Sequence, residues 1–367
     1  MQRVLSVRLI LENGMVFKGH SFGAERSTSG EVVFSTAMAG YPESLTDPSF
    51  KGQILILTYP IIGNYGVPAK SKTNGVSDFF ESDRIHASGL IVQDYSPQYS
   101  HWNAVESLGN WLKEENIPAI YGVDTRKLTK VLRQQGSLLG KIVFDSIFDV
   151  GSEIIDNSED FYNPDNYNLV AEVSCKDVIE YGDGEKKIIL VDCGTKLNIL
   201  RELLKFNVKV IRVPWDYDFN SIDYDGVMIS NGPGNPDYCG TTIDNISNAM
   251  DRSKPIFGIC LGNQLIAKAV GASTYKLKYG HRSHNQPVRR VGSNQCFITS
   301  QNHGYAVDES QLGGEWESWF VNMNDGTNEG IKHKTKPFCS VQFHPEAKGG
   351  PTDTKFFFED FIKLVFE

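Results

Sequence analysis

Pro255-Ile256-Phe257-Gly258-Ile259-Cys260-Leu261-Gly262-Asn263-Gln264 is a short apolar run that ends at Gly-x-Cys-x-Gly. It passes without a gap into a helical pattern, Leu261, Leu265, Ile266, Ala269 and Val270. This is a strand-to-helix elbow: glycines two residues either side of the cysteine tolerate a left-handed or crowded backbone, and such a turn holds one side chain up at the carboxyl end of a sheet. The group held up is a thiol. At the first turn of a helix, unpaired N–H groups and the helix dipole favour its anion, the nucleophilic form. The competing reading is a small buried hydrophobe, the usual state of a cysteine among Ile and Leu.

Outward from the elbow, the second half of the chain alternates strand and helix, which implies a parallel sheet with crossover helices. Lys187 to Val191, Val208 to Val213, Gly226 to Ser230 and Pro255 to Ile259 read as strands. Lys196 to Phe206 and Thr241 to Arg252 read as helices. Past Gly271 shorter strands are expected, at Cys296 to Ser300 and Phe338 to Phe343, before an amphipathic helix from Thr354 to Phe366. In an open parallel sheet, sites form beyond the carboxyl ends of the strands. Asn231-Gly232-Pro233-Gly234-Asn235-Pro236 leaves such an end as a rigid turn, whose backbone N–H groups could face an oxyanion or carboxylate.

A cysteine hydrolase needs a base, and the base needs a partner to fix its tautomer. Phe343-His344-Pro345-Glu346 offers both, since residues two apart in an extended chain share a face and Pro345 stiffens the spacing. His281 and His284, in the polar stretch Lys278 to Asn285, read as loop histidines with no nearby Cys or acid, so no metal is expected. His303, between Asn302 and Gly304, marks a candidate substrate-contact loop.

The first half reads as a compact mixed α/β domain over residues 1–150, with strands at residues 4–11, Glu31 to Thr36, Gln53 to Tyr59, Ser88 to Asp94 and Leu138 to Phe144. Glu12-Asn13-Gly14 supplies a hairpin turn. Helices are expected over Asn103 to Glu115 and, capped by Asp124, over Thr125 to Gln135. Gly40 to Ser49, turn-rich with two prolines, reads as a solvated connection. Residues 151–185 are acidic and turn-forming, as a connecting segment is, and 186–367 form the elbow-bearing domain.

The chain has 367 residues with a formal net charge of -9, against the basic excess that phosphate neutralisation needs, so no nucleic-acid partner is expected. No apolar run approaches membrane-spanning length, so no membrane partner is expected either. The N-terminus lacks a signal-peptide core. Six cysteines without C-x-x-C pairing suit a reducing, cytoplasmic setting.

Gly258 to Gln264 together with Phe343-His344-Pro345-Glu346 resembles the class I (triad) glutamine amidotransferases. Gly40-Tyr41-Pro42-Glu43-Ser44-Leu45-Thr46-Asp47-Pro48-Ser49, Leu57-Thr58-Tyr59-Pro60 to Gly63-Asn64-Tyr65-Gly66, and Gly122-Val123-Asp124-Thr125-Arg126 are similar to the small (glutaminase) subunit or domain of carbamoyl phosphate synthetase. The wording at Tyr41-Pro42 and Asn64 to Pro68 resembles the multifunctional eukaryotic pyrimidine-pathway form more than bacterial subunits. The resemblance implies an N-terminal mixed α/β domain beside a mostly parallel open-sheet amidotransferase domain. It implies hydrolysis of L-glutamine without a cofactor, through a glutamyl thioester, with ammonia passed to a synthetase subunit or domain for pyrimidine or arginine biosynthesis. Cys260 would be the nucleophile, His344 the acid and base, and Glu346 its orienter. Leu261, Gly232 and Gly234 would stabilise the oxyanion, and Ser49, Gln264, Asn302, Gly304 and Tyr305 would hold substrate. Asn263 stands where the family commonly has His, and Tyr305 where Phe is common. The alternatives are a non-catalytic docking subunit of the same fold and the glutaminase of a different amidotransferase.

Overall fold

The computed structural model describes residues 6–144 and 160–367, and the chain divides into two compact units, Met1–Asn166 and Tyr167–Glu367. In the first unit seven strands close into a barrel: β1 (Ser6–Leu11), β2 (Val16–Ser21), β3 (Thr28–Ser35), β4 (Gln53–Leu57), β5 (Gly89–Ile91), β6 (Ala119–Tyr121) and β7 (Leu138–Phe144). Their order is β1-β7-β3-β4-β5-β6-β2, with β2 returning to pair β1. The β1–β2 hairpin turns at Asn13-Gly14, where Gly14 takes a left-handed φ of 82°. Val7, Leu9, Leu11, Val32, Ile54, Ile56, Ile91 and Ile120 fill one core cluster of this unit. Residues 4–5 of the expected first strand and 151–159 of the expected connection lie outside the described residues.

Two expectations for this unit are corrected. The stretch 40–49 is not a solvated loop but a buried helix, α1 (Tyr41–Thr46), followed by a single 3-10 turn at Pro48–Phe50. Its turn-forming residues serve helix entry: Gly40 supplies a left-handed φ of 78°, and Pro42 falls in the first turn, where the missing N–H costs nothing. Tyr41 stacks on Tyr65 with ring centroids 4.2 Å apart and donates its hydroxyl to the Gly66 carbonyl at 2.7 Å. The second expected helix is shorter than its pattern. Ala104–Glu106 pairs as a strand with Val67–Pro68, and α2 (Leu108–Glu114) starts only after Ser107, whose Oγ accepts from Asn110 N–H. A serine cap ends the strand and begins the helix. α3 (Thr125–Gln135) starts where expected, with the Asp124 carboxylate accepting from Lys127 N–H at 2.8 Å.

The second unit is built on a ten-stranded sheet: β8 (Ile179–Tyr181), β9 (Lys186–Asp192), β10 (Val208–Pro214), β11 (Gly226–Ile229), β12 (Ile256–Ile259), β13 (Thr274–Arg290), β14 (Cys296–Val307), β15 (Trp316–Asn322), β16 (Asn328–His333) and β17 (Phe338–Val341). The order is β8-β10-β9-β11-β12-β17-β16-β15-β13-β14. β10, β9, β11, β12 and β17 form a parallel block; β8 joins it antiparallel at one edge, and β16, β15, β13 and β14 continue antiparallel from the other. The parallel strands are near-continuous apolar runs such as Ile188-Ile189-Leu190-Val191, all fully buried, because helices cover both faces. Helices α4 (Leu169–Val173), α5 (Leu197–Leu203), α6 (Gly240–Met250), α7 (Leu261–Ala269) and α8 (Phe356–Phe366) complete the unit. α8 lays Phe357 and Phe361 against Phe257 of β12, both at 6.0 Å between centroids.

The polar stretch around His281 is also corrected: it is not a loop but the middle of β13, and Asn302 to Tyr305 belong to β14. His281 and His303 are cross-strand partners, as are Arg282 and Asn302. Beyond Cys296 to Ser300 the sequence does not mark these strands, because their buried faces are polar, with His281, Arg282, Ser283, Gln301, Asn302 and His303 all buried, and no alternation of apolar and polar residues runs through them.

Candidate active site

β12 delivers the chain into α7 through Cys260, which takes φ 55° and ψ -101°, a conformation that costs a non-glycine residue strain. The cysteine itself carries the unusual backbone, and the flanking glycines are needed for closeness. A Cβ on Gly262 would lie 2.3 Å from the Ile229 carbonyl oxygen of β11, and one on Gly258 would lie 2.6 Å from the Gly262 carbonyl oxygen. The elbow is pinned by Cys260 N–H donating to Val341 O at 2.8 Å and Gly262 N–H donating to Ser230 O at 3.1 Å. Leu261 is the first residue of α7, so its N–H belongs to the donors a helix start leaves without intrahelical partners. Gly232 packs beside it: a Cβ there would meet Leu261 Cδ2 at 2.7 Å and Cys193 O at 2.0 Å. Gly234, with φ 81°, completes that turn.

His344 and Glu346 follow β17. Their pairing is made by a turn, not by the expected extended chain: Ala347 N–H closes back onto His344 O at 3.2 Å, and His344 Nδ1–H donates to Glu346 Oε1 at 2.6 Å. Both side chains are fully buried. With Nδ1 committed to the carboxylate, Nε2 is left without a hydrogen bond among the described residues. Burial and the Lys196 charge push the imidazole pKa down, but the negative charge of Glu346 and the neighbouring Cys260 sulfur outweigh them, and it is pushed up to about 10. Burial pushes the Glu346 carboxyl up, while His344 and Lys196 hold it below the usual range. The site therefore balances two cations, His344 and Lys196, against the carboxylate and a neighbouring thiol.

β14 closes the other side. The Cys260 thiol donates to the Asn302 carbonyl at 3.6 Å, and Gln264 Nε2 donates to the Tyr305 carbonyl at 3.0 Å. The structure thus brings Cys260, His344, Glu346, Leu261, Gln264, Asn302 and Tyr305 into one neighbourhood, with Gly304 between the last two on the same strand. Ser49 belongs to the first unit, where it lies buried in the 3-10 turn with its N–H donating to Asp47 Oδ1 at 2.9 Å.

Residues 189–364 match the family model for glutamine amidotransferase class-I, and residues 9–142 match that for the carbamoyl-phosphate synthase small chain, CPSase domain. The carbamoyl phosphate synthase arginine-specific small chain of Schizosaccharomyces pombe is 49% identical over 362 residues, covering 97% of this chain and 86% of that one. The chain belongs to the carbamoyl phosphate synthase small-chain family. The multifunctional protein CAD of Squalus acanthias is 51% identical over 361 residues, 97% of this chain and 16% of that protein. The mitochondrial carbamoyl-phosphate synthase [ammonia] of Homo sapiens is 49% identical over 373 residues, 99% of this chain and 24% of that protein. The chain therefore spans well under a third of these two relatives.

Three residues beside the site carry no motif in the sequence. Lys196 Nζ lies 3.5 Å from Glu346 Oε1, and Asn198 Nδ2 donates to the Glu346 carbonyl. Both stand at the start of α5, on the loop leaving β9, and that position at a parallel strand's carboxyl end was the available signal. Gln342 is the third. Its Oε1 accepts from Asn263 Nδ2 and from Gln264 Nε2, each at 3.2 Å, while Ser340 Oγ donates to Asn263 Oδ1 at 2.8 Å. Asn263, the departure from the common family residue, is thus a member of a buried amide cluster behind the elbow. No motif in the sequence marks such a cluster, because its members come from α7 and β17 and meet only in the fold. Among the described residues no helix is long and apolar enough to cross a membrane.

Proposed function

We propose that the chain hydrolyses L-glutamine to glutamate and ammonia and delivers the ammonia to a carbamoyl phosphate synthetase large subunit or synthetase domain, for pyrimidine or arginine biosynthesis. The observation that carries this reading is Cys260 on a strained elbow at a helix start, beside an imidazole whose Nδ1 is held by Glu346 and whose Nε2 makes no hydrogen bond among the described residues.

The Cys260 thiolate attacks the side-chain amide carbon of glutamine, and the C=O electron pair moves to oxygen. Leu261 N–H and the Gly232 to Gly234 turn stabilise that oxyanion. As the tetrahedral adduct collapses, the C–N bond breaks and His344 gives its proton to the departing ammonia, leaving a glutamyl thioester. The imidazole, now neutral, takes a proton from water, whose oxygen attacks the thioester; the thiolate leaves and glutamate is released. Gln264, Asn302, Gly304 and Tyr305 hold the substrate. For Ser49 the proposal rests on the family resemblance of its stretch. Residues 1–150 act as the small-chain domain, 151–185 as the connection and 186–367 as the glutaminase. Six free cysteines support a cytoplasmic, reducing setting.

The test is Cys260→Ser in the full chain, read as glutamate release with and without an added synthetase. We expect loss of hydrolysis in the variant and a rise in the wild-type rate on adding the synthetase. Hydrolysis that survives in Cys260→Ser refutes the mechanism. The human relative is named for ammonia, which favours a second reading, a docking chain without glutaminase activity. A wild-type chain that releases no glutamate even with its synthetase supports that reading.

A further inference from the structure

Away from the Cys260 elbow, three strands bring His281 (β13), His303 (β14) and Glu329 (β16) together, all buried, with one ligand atom of each within 4.8 Å of the others. The hydrogen bonds around them are those that orient metal-ligating side chains. A ligating histidine characteristically donates its outer ring N–H to a carboxylate or a backbone carbonyl. His281 Nε2 lies 2.8 Å from Asp325 Oδ2, and His303 Nδ1 lies 2.8 Å from the Tyr305 carbonyl oxygen, which can only accept. The inner nitrogens are then His281 Nδ1 and His303 Nε2. His281 Nδ1, which has Asn322 Nδ2 3.5 Å away, stands 3.4 Å from Glu329 Oε1, a separation long for a hydrogen bond. It matches the ~3.3 Å separation of two ligands held at about 2.0–2.1 Å in a tetrahedral zinc site.

Two polar atoms of the cluster offer lone pairs that a cation could take. Glu329 Oε2 is buried without a hydrogen bond, while Oε1 accepts from Asn322 Nδ2 at 2.8 Å. A neutral His303 that donates from Nδ1 presents a lone pair at Nε2, and this atom faces Gln301 Oε1, a second acceptor, at 3.2 Å. A cation among the three groups would engage both at once, in competition with the ion pairs that a protonated His281 makes with Asp325 and Glu329. Two imidazoles and a carboxylate suit zinc-class divalent metals better than magnesium or calcium.

We propose that His281, His303 and Glu329 form a buried binding site for a zinc-class divalent cation, with Asp325 and the Tyr305 carbonyl as its outer partners. An occupied site ties β14 to β13 and β16 immediately beside Asn302, whose carbonyl contacts Cys260. It would thereby fix the strand on the far side of the elbow.

The test uses the full chain, stripped with EDTA and titrated with Co²⁺ as a spectroscopic probe, both on the native protein and during refolding from urea. We expect one Co²⁺ per chain with visible d–d bands and no thiolate charge-transfer band, and a higher unfolding midpoint with the cation than with EDTA. Glu329→Gln, which keeps the side chain's size, and His281→Gln should each weaken binding at least ~10-fold. Their far-UV circular dichroism in EDTA establishes that they fold, and if one does not, the other carries the test. Absence of Co²⁺ uptake, bands unchanged in both variants, or bands of a cysteine-bound ion would each overturn the proposal, leaving a hydrogen-bonded ionic cluster.

Discussion

Gly262→Ala tests how tightly the elbow is built. The added Cβ would lie 2.3 Å from Ile229 O, 3.0 Å from Ile229 C and 3.1 Å from Ile229 Cβ, whereas ordinary contacts begin near 3.4 Å. Backbone on a central strand cannot rotate away, so the start of α7 must move off β11 by about 1 Å. Such overpacking costs ~1–3 kcal/mol of stability. The displaced residues are Cys260 and Leu261 themselves, and a misplacement of ~1 Å in reacting groups costs on the order of 100-fold in rate. We therefore expect kcat/KM for glutamine hydrolysis to fall about 100-fold while the chain stays folded. The assay is steady-state glutamate release with urea unfolding in parallel. Gly313→Ala, where no heavy atom lies within 4 Å of the added Cβ, is the control and should match wild type in both. A Gly262→Ala chain within about twofold of wild type in kcat/KM would refute the close-packed elbow.

Three further outcomes follow from the same geometry. In Glu346→Gln the charge that most strongly raises His344 is removed, while Lys196 continues to push it down and His284 and His303 remain nearby, so the imidazolium deprotonates at lower pH. If the thiolate–imidazolium pair is the active form, the alkaline limb of the kcat/KM profile should shift to lower pH, and an unmoved limb would count against the pairing. Asp192→Asn should destabilise the second unit by ~3–5 kcal/mol, because it leaves Arg212, 2.6 Å away at Nη2, without its buried counter-charge. The folded Asp192 carboxyl lies below its usual range because Arg212 and the N–H groups of Thr195, Cys175 and Gly194 outweigh burial. Its stabilising contribution is therefore full above the unfolded pKa of about 3.9 and lost as pH falls through the folded value. Urea midpoints of wild type and variant should thus differ at pH 7 and converge only as pH falls through the folded value. Gln342→Met keeps the volume but takes an acceptor from Asn263 and Gln264; Gln264 Nε2 keeps the Tyr305 carbonyl, and the buried Asn263 donor so orphaned costs ~1–3 kcal/mol. We expect lower stability and a raised KM, checked by urea unfolding and glutamine saturation curves.

What the sequence determined was what neighbouring residues settle between themselves. The apolar run into Gly-x-Cys-x-Gly identified the elbow, His-Pro-Glu marked the candidate base and its partner, and strand–helix alternation predicted the parallel strands β9, β10, β11 and β12. Helix caps were legible where a single side chain makes them, as at Asp124, and mistaken where tertiary burial reversed composition, as at Tyr41 to Thr46. Only the tertiary structure decided the rest. Cys260 takes the strained backbone where the elbow passes so close to β11 that the Ile229 carbonyl excludes any side chain from Gly262. His281 and His303 face each other because β13 and β14 pair across a polar register that no hydrophobic period encodes. Lys196, Asn198 and Gln342 reach the site from elements far apart in sequence, brought together where the carboxyl ends of the parallel strands converge. Local pattern fixes which residues can do chemistry; which of them meet depends on strand order, and strand order is set by packing of the whole sheet.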